Sequence, residues 1–264
     1  MQKKVYFLSG FPRAGNTILA KLLNQNKNIA ATGHSSLPDV FFYIESIKKT
    51  NTYNNFKNDK GIENIQKKLV LNFYKDWKQP YIIDRGEWGT PYNYEIIKKF
   101  CPNEFKIIFL LRNPLDIIKS YIKLCNDYPK FYINQKYNQI DKINLHRTEL
   151  EEKIELITEK GTLFDVSCMA YNFIKNKKNV CFIRYENLVK DPKQTLDNIY
   201  NFLDIPKFKH TFNIKDQFLV NNISYNDDVI GAPMHTLHTG KLKNFNYPNI
   251  KLPKYIVEKY KNII

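Results

Sequence analysis

A chain of 264 residues, 43% hydrophobic and 25% charged, can bury a sizeable core as one domain or two, and its composition excludes a disordered or fibrous protein. A net charge of +15, with a pI near 9.4, fits an anionic substrate, a polyanion or a membrane surface, or else reflects a composition rich in Lys, Asn and Ile throughout. Cys101, Cys125, Cys168 and Cys181 are too scattered for a zinc site or a disulfide framework, and neither Val5–Leu8 nor Ile107–Leu111 is long enough for a signal peptide or membrane span, so a cytoplasmic protein is expected.

Along the chain, Lys4–Ser9 (KVYFLS) is a short apolar run ending in Gly10 and reads as a buried strand. Asn16–Asn26 puts Ile18, Leu19, Leu22 and Leu23 on one helical face. Further helices are expected at Leu37–Lys49 and Ile62–Trp77, separated by the Asn- and Lys-rich stretch 50–60. Pro80–Asp84 (PYIID) is a second strand, Tyr92–Phe100 a helix and Phe105–Leu111 a third strand. The next helix has a well-formed start: Asn113 can cap it, Pro114 suits its first position, and Asp116 favours the positive end. Residues 128–146 read as irregular and aromatic. Helices at about 147–160 and 162–177, a strand at Val180–Arg184 and a helix capped by Asp191 ahead of Pro192 complete the pattern, which weakens beyond about residue 205.

Strands alternating with helices predict an α/β fold, a three-layer sandwich with a mostly parallel central sheet, in one domain over residues 1–264. Ligands of such sheets sit at the carboxyl ends of the strands. Gly10–Thr17, Asp84–Glu87, Arg112 and Tyr185 are therefore expected along one edge.

The strand–loop–helix at the start carries SGFPRAGNTILAKLL. Gly10, Gly15 and Thr17 match the phosphate loop G-x-x-x-x-G-K-S/T, but Asn16 stands at the lysine position and a cation enters earlier, as Arg13. Backbone N–H groups at a helix N-terminus bind phosphate whatever the nucleotide. The missing lysine removes the cation for β- and γ-phosphates. Asp84, closing a hydrophobic strand, keeps open a P-loop kinase or NTPase that would require Mg²⁺ and ATP. A basic nucleic-acid-binding protein is the other alternative, although no recognised module or basic helix supports it.

A second stretch, KIIFLLRNPLDIIKSYIKL, ends a strand in Arg112 and places Ser120 on the following helix. Here the chain resembles the sulfotransferases that use 3′-phosphoadenosine 5′-phosphosulfate (PAPS). PRAGNTIL looks like their 5′-phosphosulfate loop, LLRNPLDIIKSY like their 3′-phosphate motif, and IRYENLVKDPKQTLDNIYNFL like the segment whose tyrosine lies near the nucleotide. NDDVIGAPMHTLHTGKLKNF is similar to the late nucleotide-covering loop of tyrosylprotein sulfotransferases.

The resemblance implies a metal-independent, in-line transfer from PAPS to a hydroxyl, phenol or amine, leaving 3′-phosphoadenosine 5′-phosphate (PAP). It implies that Pro12, Arg13, Ala14, Gly15, Asn16, Thr17 and Ile18 hold the 5′ group and that Arg112 and Ser120 hold the 3′-phosphate. Tyr185 and Lys241 would lie at the nucleotide, covered by the segment from about residue 205. Arg13 would stabilise charge on the leaving oxygen. Counting on from Arg13, His34 stands where tyrosylprotein-type relatives carry a glutamate, and is a candidate base. Glu87 and Asp84 are its rivals, Asp84 and Arg85 being equally able to form an ion pair. His235 and His238 either cover the nucleotide or only pack. Phe41, Phe42, Tyr43, Trp77, Trp88, Phe131 and Tyr132 line an acceptor pocket or belong to the core.

Overall fold

In the computed structural model, which describes residues 3–101, 104–139, 147–245 and 247–264, Ile107–Leu111 is buried at all five positions. Only a strand covered on both faces reads this way. The first half of the chain forms β1 (Lys4–Gly10), α1 (Asn16–Leu23), β2 (Ile29–Ala31), α2 (Leu37–Ser46) with a 3₁₀ turn at Ile47–Lys49, and α3 (Asn51–Asn55). There follow α4 (Asp59–Phe73), β3 (Tyr81–Arg85), α5 (Pro91–Phe100), β4 (Ile107–Leu111) and α6 (Pro114–Asp127). The second half adds α7 (Tyr132–Gln139), α8 (Glu149–Thr158), α9 (Leu163–Ile174), β5 (Val180–Arg184), α10 (Tyr185–Lys190), α11 (Pro192–Leu203), β6 (Asn213–Ile214), β7 (Gly240–Lys241) and α12 (Lys254–Tyr260).

Five parallel strands make a central sheet in the order β2-β3-β1-β4-β5, flanked by helices, and β6 pairs antiparallel with β7. The chain leaves β1 toward one edge and later crosses to its other side. The winding therefore reverses at β1, and a crevice opens at the carboxyl end of such a strand. Register places Leu8 beside Arg85, Gly10 beside Leu110 and Leu111 beside Arg184, so the ends of four strands meet there.

Local chemistry sets the boundaries. Asn113 caps α6, accepting from the Leu115 N–H at 2.9 Å, and Asp191 caps α11, accepting from the Gln194 N–H at 3.0 Å. Thr148 and Glu151 form a reciprocal capping box on α8.

Four elements depart from the sequence expectation. β2 is too short to show a period; it is an edge strand whose outward backbone is met by the preceding turn. Asn24 gives its side-chain N–H to the Ala31 carbonyl at 2.9 Å and accepts from the Ala31 N–H at 2.7 Å, while the Ile29 N–H reaches the Asn26 carbonyl. α3 arises within the polar stretch 50–60 because the Thr50 side chain caps it, accepting from the Tyr53 N–H. α7 replaces much of the expected irregular segment 128–146, whose residues 140–146 lie outside the described residues. Its position is tertiary: Phe131 is fully buried, and the Asn134 amide donates to the Cys125 and Tyr128 carbonyls at 2.8 and 3.0 Å. The short helix α10 turns the chain directly after β5.

Candidate active site

The loop between β1 and α1 is shaped by three residues with positive φ: Gly10 at 148°, Arg13 at 58° and Gly15 at 86°. A Cβ on Gly10 would lie 2.6 Å from the Leu110 carbonyl oxygen of the adjacent strand, and one on Gly15 would lie 2.8 Å from the Tyr185 ring. Both positions thus combine a left-handed backbone with a close approach that only glycine allows. Asn16 is buried, and its amide donates to the Phe11 carbonyl at 2.8 Å. Its side-chain N–H braces the loop from inside, while its buried Oδ1 has no hydrogen-bond partner. Ala14 is fully buried beneath the loop.

Arg13 belongs to this loop, and Arg112 reaches it from the end of β4. Arg112, only 4% exposed, donates to the Arg13 carbonyl at 2.6 Å and to the Phe245 carbonyl at 2.5 Å, and its guanidinium lies 4.4 Å from the Tyr185 ring centroid. Its buried Nε has no hydrogen-bond partner. Arg13 donates from Nε to Ser120 Oγ at 3.1 Å and from Nη1 to the Met234 carbonyl. Ser120 is buried and also lies 3.4 Å from the Tyr247 hydroxyl. Burial lowers the Arg13 pKa, the neighbouring Arg112 adds to that, and Tyr121, Tyr247 and Tyr185 oppose it. Among the described residues neither guanidinium pairs with a carboxylate. One buried and one half-buried cation, neither paired with a carboxylate, form a site in electrostatic deficit of an anion.

A cleft of about 340 Å³ opens over them, within the about 300–1,000 Å³ common for small-molecule sites. Pro12, Arg13, Gly15, Asn16, Thr17, Ile18, Arg112, Tyr185 and Lys241 line it together, and so do Arg85 and the late residues Met234 to Thr239. Ser120 sits behind Arg13 and is not part of the lining. Sequence reasoning missed Tyr225, Asp227, Met234, Phe245 and Tyr247. Their link to the loop is made by carbonyls, ring contacts and a carboxylate–imidazole pair across a segment without periodicity, and the signal for Asp227, Met234 and Phe245 was the resemblance of 226–245 to a nucleotide-covering loop, which singled out none of them.

At the end of β3, successive residues face opposite ways. Asp84 is fully buried, accepting from Trp88 Nε1 at 2.7 Å and from the Tyr74 hydroxyl. Burial raises its pKa to about 6 against those hydrogen bonds. Arg85 points the other way, donating from Nη1 to the Gly33 carbonyl at 2.8 Å and to His34 Nδ1 at 3.0 Å. The Asp84–Arg85 ion pair is therefore not formed, and Asp84 does not line the cleft. His34 keeps an exposed edge, yet partial burial and then Arg85 lower its pKa, with Glu87 and Asp39 opposing. Glu87 borders a small hollow with Gly10, Pro12 and Arg85 and an open groove with Phe42, Tyr92 and Met169. Of the aromatic acceptor candidates, Phe41, Trp88 and Phe131 are core. Phe42 alone of that set borders the groove.

In the late segment His235 stacks flat on Tyr225, with centroids 3.8 Å apart and planes at 2°, and its Nδ1 lies 2.6 Å from Asp227 Oδ1. His238 lies over Phe245 at 4.5 Å. No three His, Cys, Asp or Glu residues group as metal ligands among the described residues, and no described helix is long and apolar enough to cross a membrane.

A parallel α/β sheet has a glycine loop at its winding reversal, with half-buried Arg13 and buried Arg112 there, the geometry that suits a phosphorylated anion. The model of the sulfotransferase domain matches residues 3–230, and the chain belongs to that family. Its fold is similar to that of a sulfotransferase domain from the curacin biosynthetic pathway (17% identity, TM-score 0.53, 100% of this chain and 92% of that one). It is also similar to the sulfotransferase domain of the Synechococcus PCC 7002 olefin synthase (16%, TM-score 0.52, 86% and 83%). A mouse sulfotransferase complexed with PAP aligns with 21% identity and a TM-score of 0.44 over 79% of this chain and 62% of that one. No curated protein matches the chain in sequence.

Proposed function

We propose that the protein moves the sulfuryl group of PAPS to a hydroxyl, phenol or amine by in-line displacement, without a metal. The observation that carries this reading is the pair of guanidinium groups of half-buried Arg13 and buried Arg112, with no carboxylate partner among the described residues, at a loop whose lysine position is an internally bonded asparagine. Such a site suits two separate anionic groups rather than a triphosphate with its metal. The loop amides and Arg13 bind the 5′-phosphosulfate, with Arg13 meeting charge on the leaving oxygen. Arg112, with Ser120 behind Arg13, takes the 3′-phosphate, Tyr185 and Lys241 border the nucleotide, and the segment from about residue 205 covers it. His34, Glu87 and His235 stand around Arg85 as candidate bases. Four free cysteines agree with a reducing compartment such as the cytoplasm.

Titration calorimetry tests the reading. PAP is expected to bind with or without EDTA, and radiolabelled PAPS to lose its sulfuryl group to an acceptor with EDTA present. Binding of Mg-ATP in place of PAP, with Mg²⁺-dependent hydrolysis lost in Asp84→Asn, would establish the NTPase alternative.

A further inference from the structure

The two imidazoles nearest Arg85 differ in which ring nitrogen remains free. A guanidinium carries only N–H donors. Arg85 Nη1 gives one hydrogen to the Gly33 carbonyl and points the other at His34 Nδ1, 3.0 Å away. That contact occupies the Nδ1 lone pair, so the neutral His34 ring carries its proton on Nε2. No lone pair is left to receive a proton from an acceptor.

His235 is arranged the opposite way. Its Nδ1 faces the Asp227 carboxylate at 2.6 Å, and an ionised carboxylate only accepts. The ring proton is thereby held on Nδ1, and the Nε2 lone pair is free. The other Asp227 oxygen accepts from the His235 backbone N–H at 2.8 Å. The ring is further fixed by its stack on Tyr225, whose hydroxyl is 3.5 Å from Thr17 Oγ1 in the phosphate loop. His235 directly follows Met234, the residue whose carbonyl receives Arg13, and it lines the cleft with Arg13, Thr17 and Arg85. His238 also lines the cleft, but it packs on Phe245, at the Arg112 end.

We propose that His235, oriented by Asp227, is the base that takes the proton from the acceptor, while His34 serves as a hydrogen-bond acceptor for Arg85. The inference rests on the sulfuryl-transfer reading. An electron pair on the acceptor oxygen forms the new S–O bond as the bond from sulfur to the bridging phosphosulfate oxygen breaks. That bonding pair leaves on the 5′-phosphate of PAP. The acceptor proton passes to His235 Nε2, Asp227 stabilises the resulting imidazolium, and the ring later releases the proton to solvent. Asp227, Arg85 and Arg13 are the charged groups acting on the ring. Burial lowers its pKa, Asp227 opposes that, and the two arginines reinforce it, so the ring is neutral and able to accept a proton at pH 7.

The chain has five histidines, so long-range ¹H–¹⁵N correlation on histidine-labelled full-length protein reads the tautomers without any acceptor. Single His34→Gln and His235→Gln variants assign the signals. His235 is expected with its proton on Nδ1 and His34 with its proton on Nε2; the reverse pair overturns the proposal. Rates then come from PAP formation out of PAPS, with water alone and with added phenols of graded acidity. His235→Ala should slow turnover by about 10²–10⁴-fold with PAP affinity changed by less than about threefold. The loss should shrink toward the most acidic phenols, which ionise without help. Asp227→Asn should cost at least about tenfold by disturbing the tautomer, and His34→Ala at least about tenfold less than His235→Ala. The wild-type rate should rise with pH and level off below about 6.5, the ordinary histidine value, and His235→Ala should lose that rise. Collapse of turnover in His34→Ala or Glu87→Gln beside near-normal His235→Ala overturns the assignment. Wild-type protein that binds no PAP overturns the sulfotransferase reading and the base with it. Intact PAP binding with reversed tautomers overturns the base alone.

Discussion

Replacing Arg112 by alanine tests the nucleotide reading through selectivity rather than through affinity. Arg112 holds the Arg13 and Phe245 carbonyls at 2.6 and 2.5 Å and keeps a buried, unpartnered Nε. A 3′-phosphate arriving here would exchange a neutral carbonyl for a charged acceptor and can satisfy the orphan donor. A hydrogen bond to a charged group contributes about 1.5–3 kcal/mol, or roughly 10- to 150-fold in affinity. AMP lacks the 3′-phosphate and is the internal control. Losing the Arg112 contacts also loosens the loop and the late segment, but that damage weakens PAP and AMP alike. The ratio of their dissociation constants isolates the phosphate contact. Calorimetry with both nucleotides should give a wild-type preference for PAP of at least about tenfold, most of it lost in Arg112→Ala and part of it retained in Arg112→Lys, which keeps the charge without the fork. A PAP-to-AMP ratio unchanged in Arg112→Ala would refute the placement of the 3′-phosphate.

Gly15→Ala should destabilise the fold by about 1–3 kcal/mol, because its Cβ meets the Tyr185 ring at 2.8 Å on a backbone at φ 86°; a thermal scan should fall by roughly 2–10 °C, and an unchanged midpoint would contradict the packing. Asp84 gives a pH signature. Its folded pKa, about 6, lies above the ordinary carboxylate value of about 3.9, so between those values the folded state holds a proton that the unfolded state has released. Stability therefore falls as pH rises from about 4 to about 6, by roughly 3 kcal/mol, and is level above. Urea denaturation should show this decline in the difference between wild type and Asp84→Asn; a pH-independent difference would contradict the buried assignment.

Much of this architecture is legible in the sequence wherever one chain segment carries its own signal. The apolar runs at β1, β3, β4 and β5 need no partner to be read, and Asn113–Pro114 and Asp191–Pro192 announce helix starts within two residues. The loop motif and Arg112 were readable because strand ends in a parallel sheet are brought together by topology alone. What stayed hidden depends on distant partners. β2 has only three residues and acquires its identity from Asn24. α7 is held by Phe131 and Asn134 against α6 and the turn after it. The inward bond of the Asn16 amide N–H to the Phe11 carbonyl, at a residue that also lines the cleft, has no signature in the motif. His34 attracted attention by its count from Arg13, but ring tautomers are set by neighbours. Those neighbours, Arg85 and Asp227, lie far along the chain from one another.

The turn between α1 and β2 has a consequence for how molecules of this protein meet in solution. A five-stranded sheet open at both sides invites further strands to join, since unpaired N–H and C=O groups are a template for another chain. Along β2 the outward donors of Ile29 and Ala31, and the Ala31 carbonyl, are already taken by Asn26 and Asn24. The asparagine side chain thus acts as a false sixth strand, one amide long. It ends the ladder without burying new surface, and it spares a strongly basic enzyme from relying on charge repulsion alone to keep its sheets from joining edge to edge.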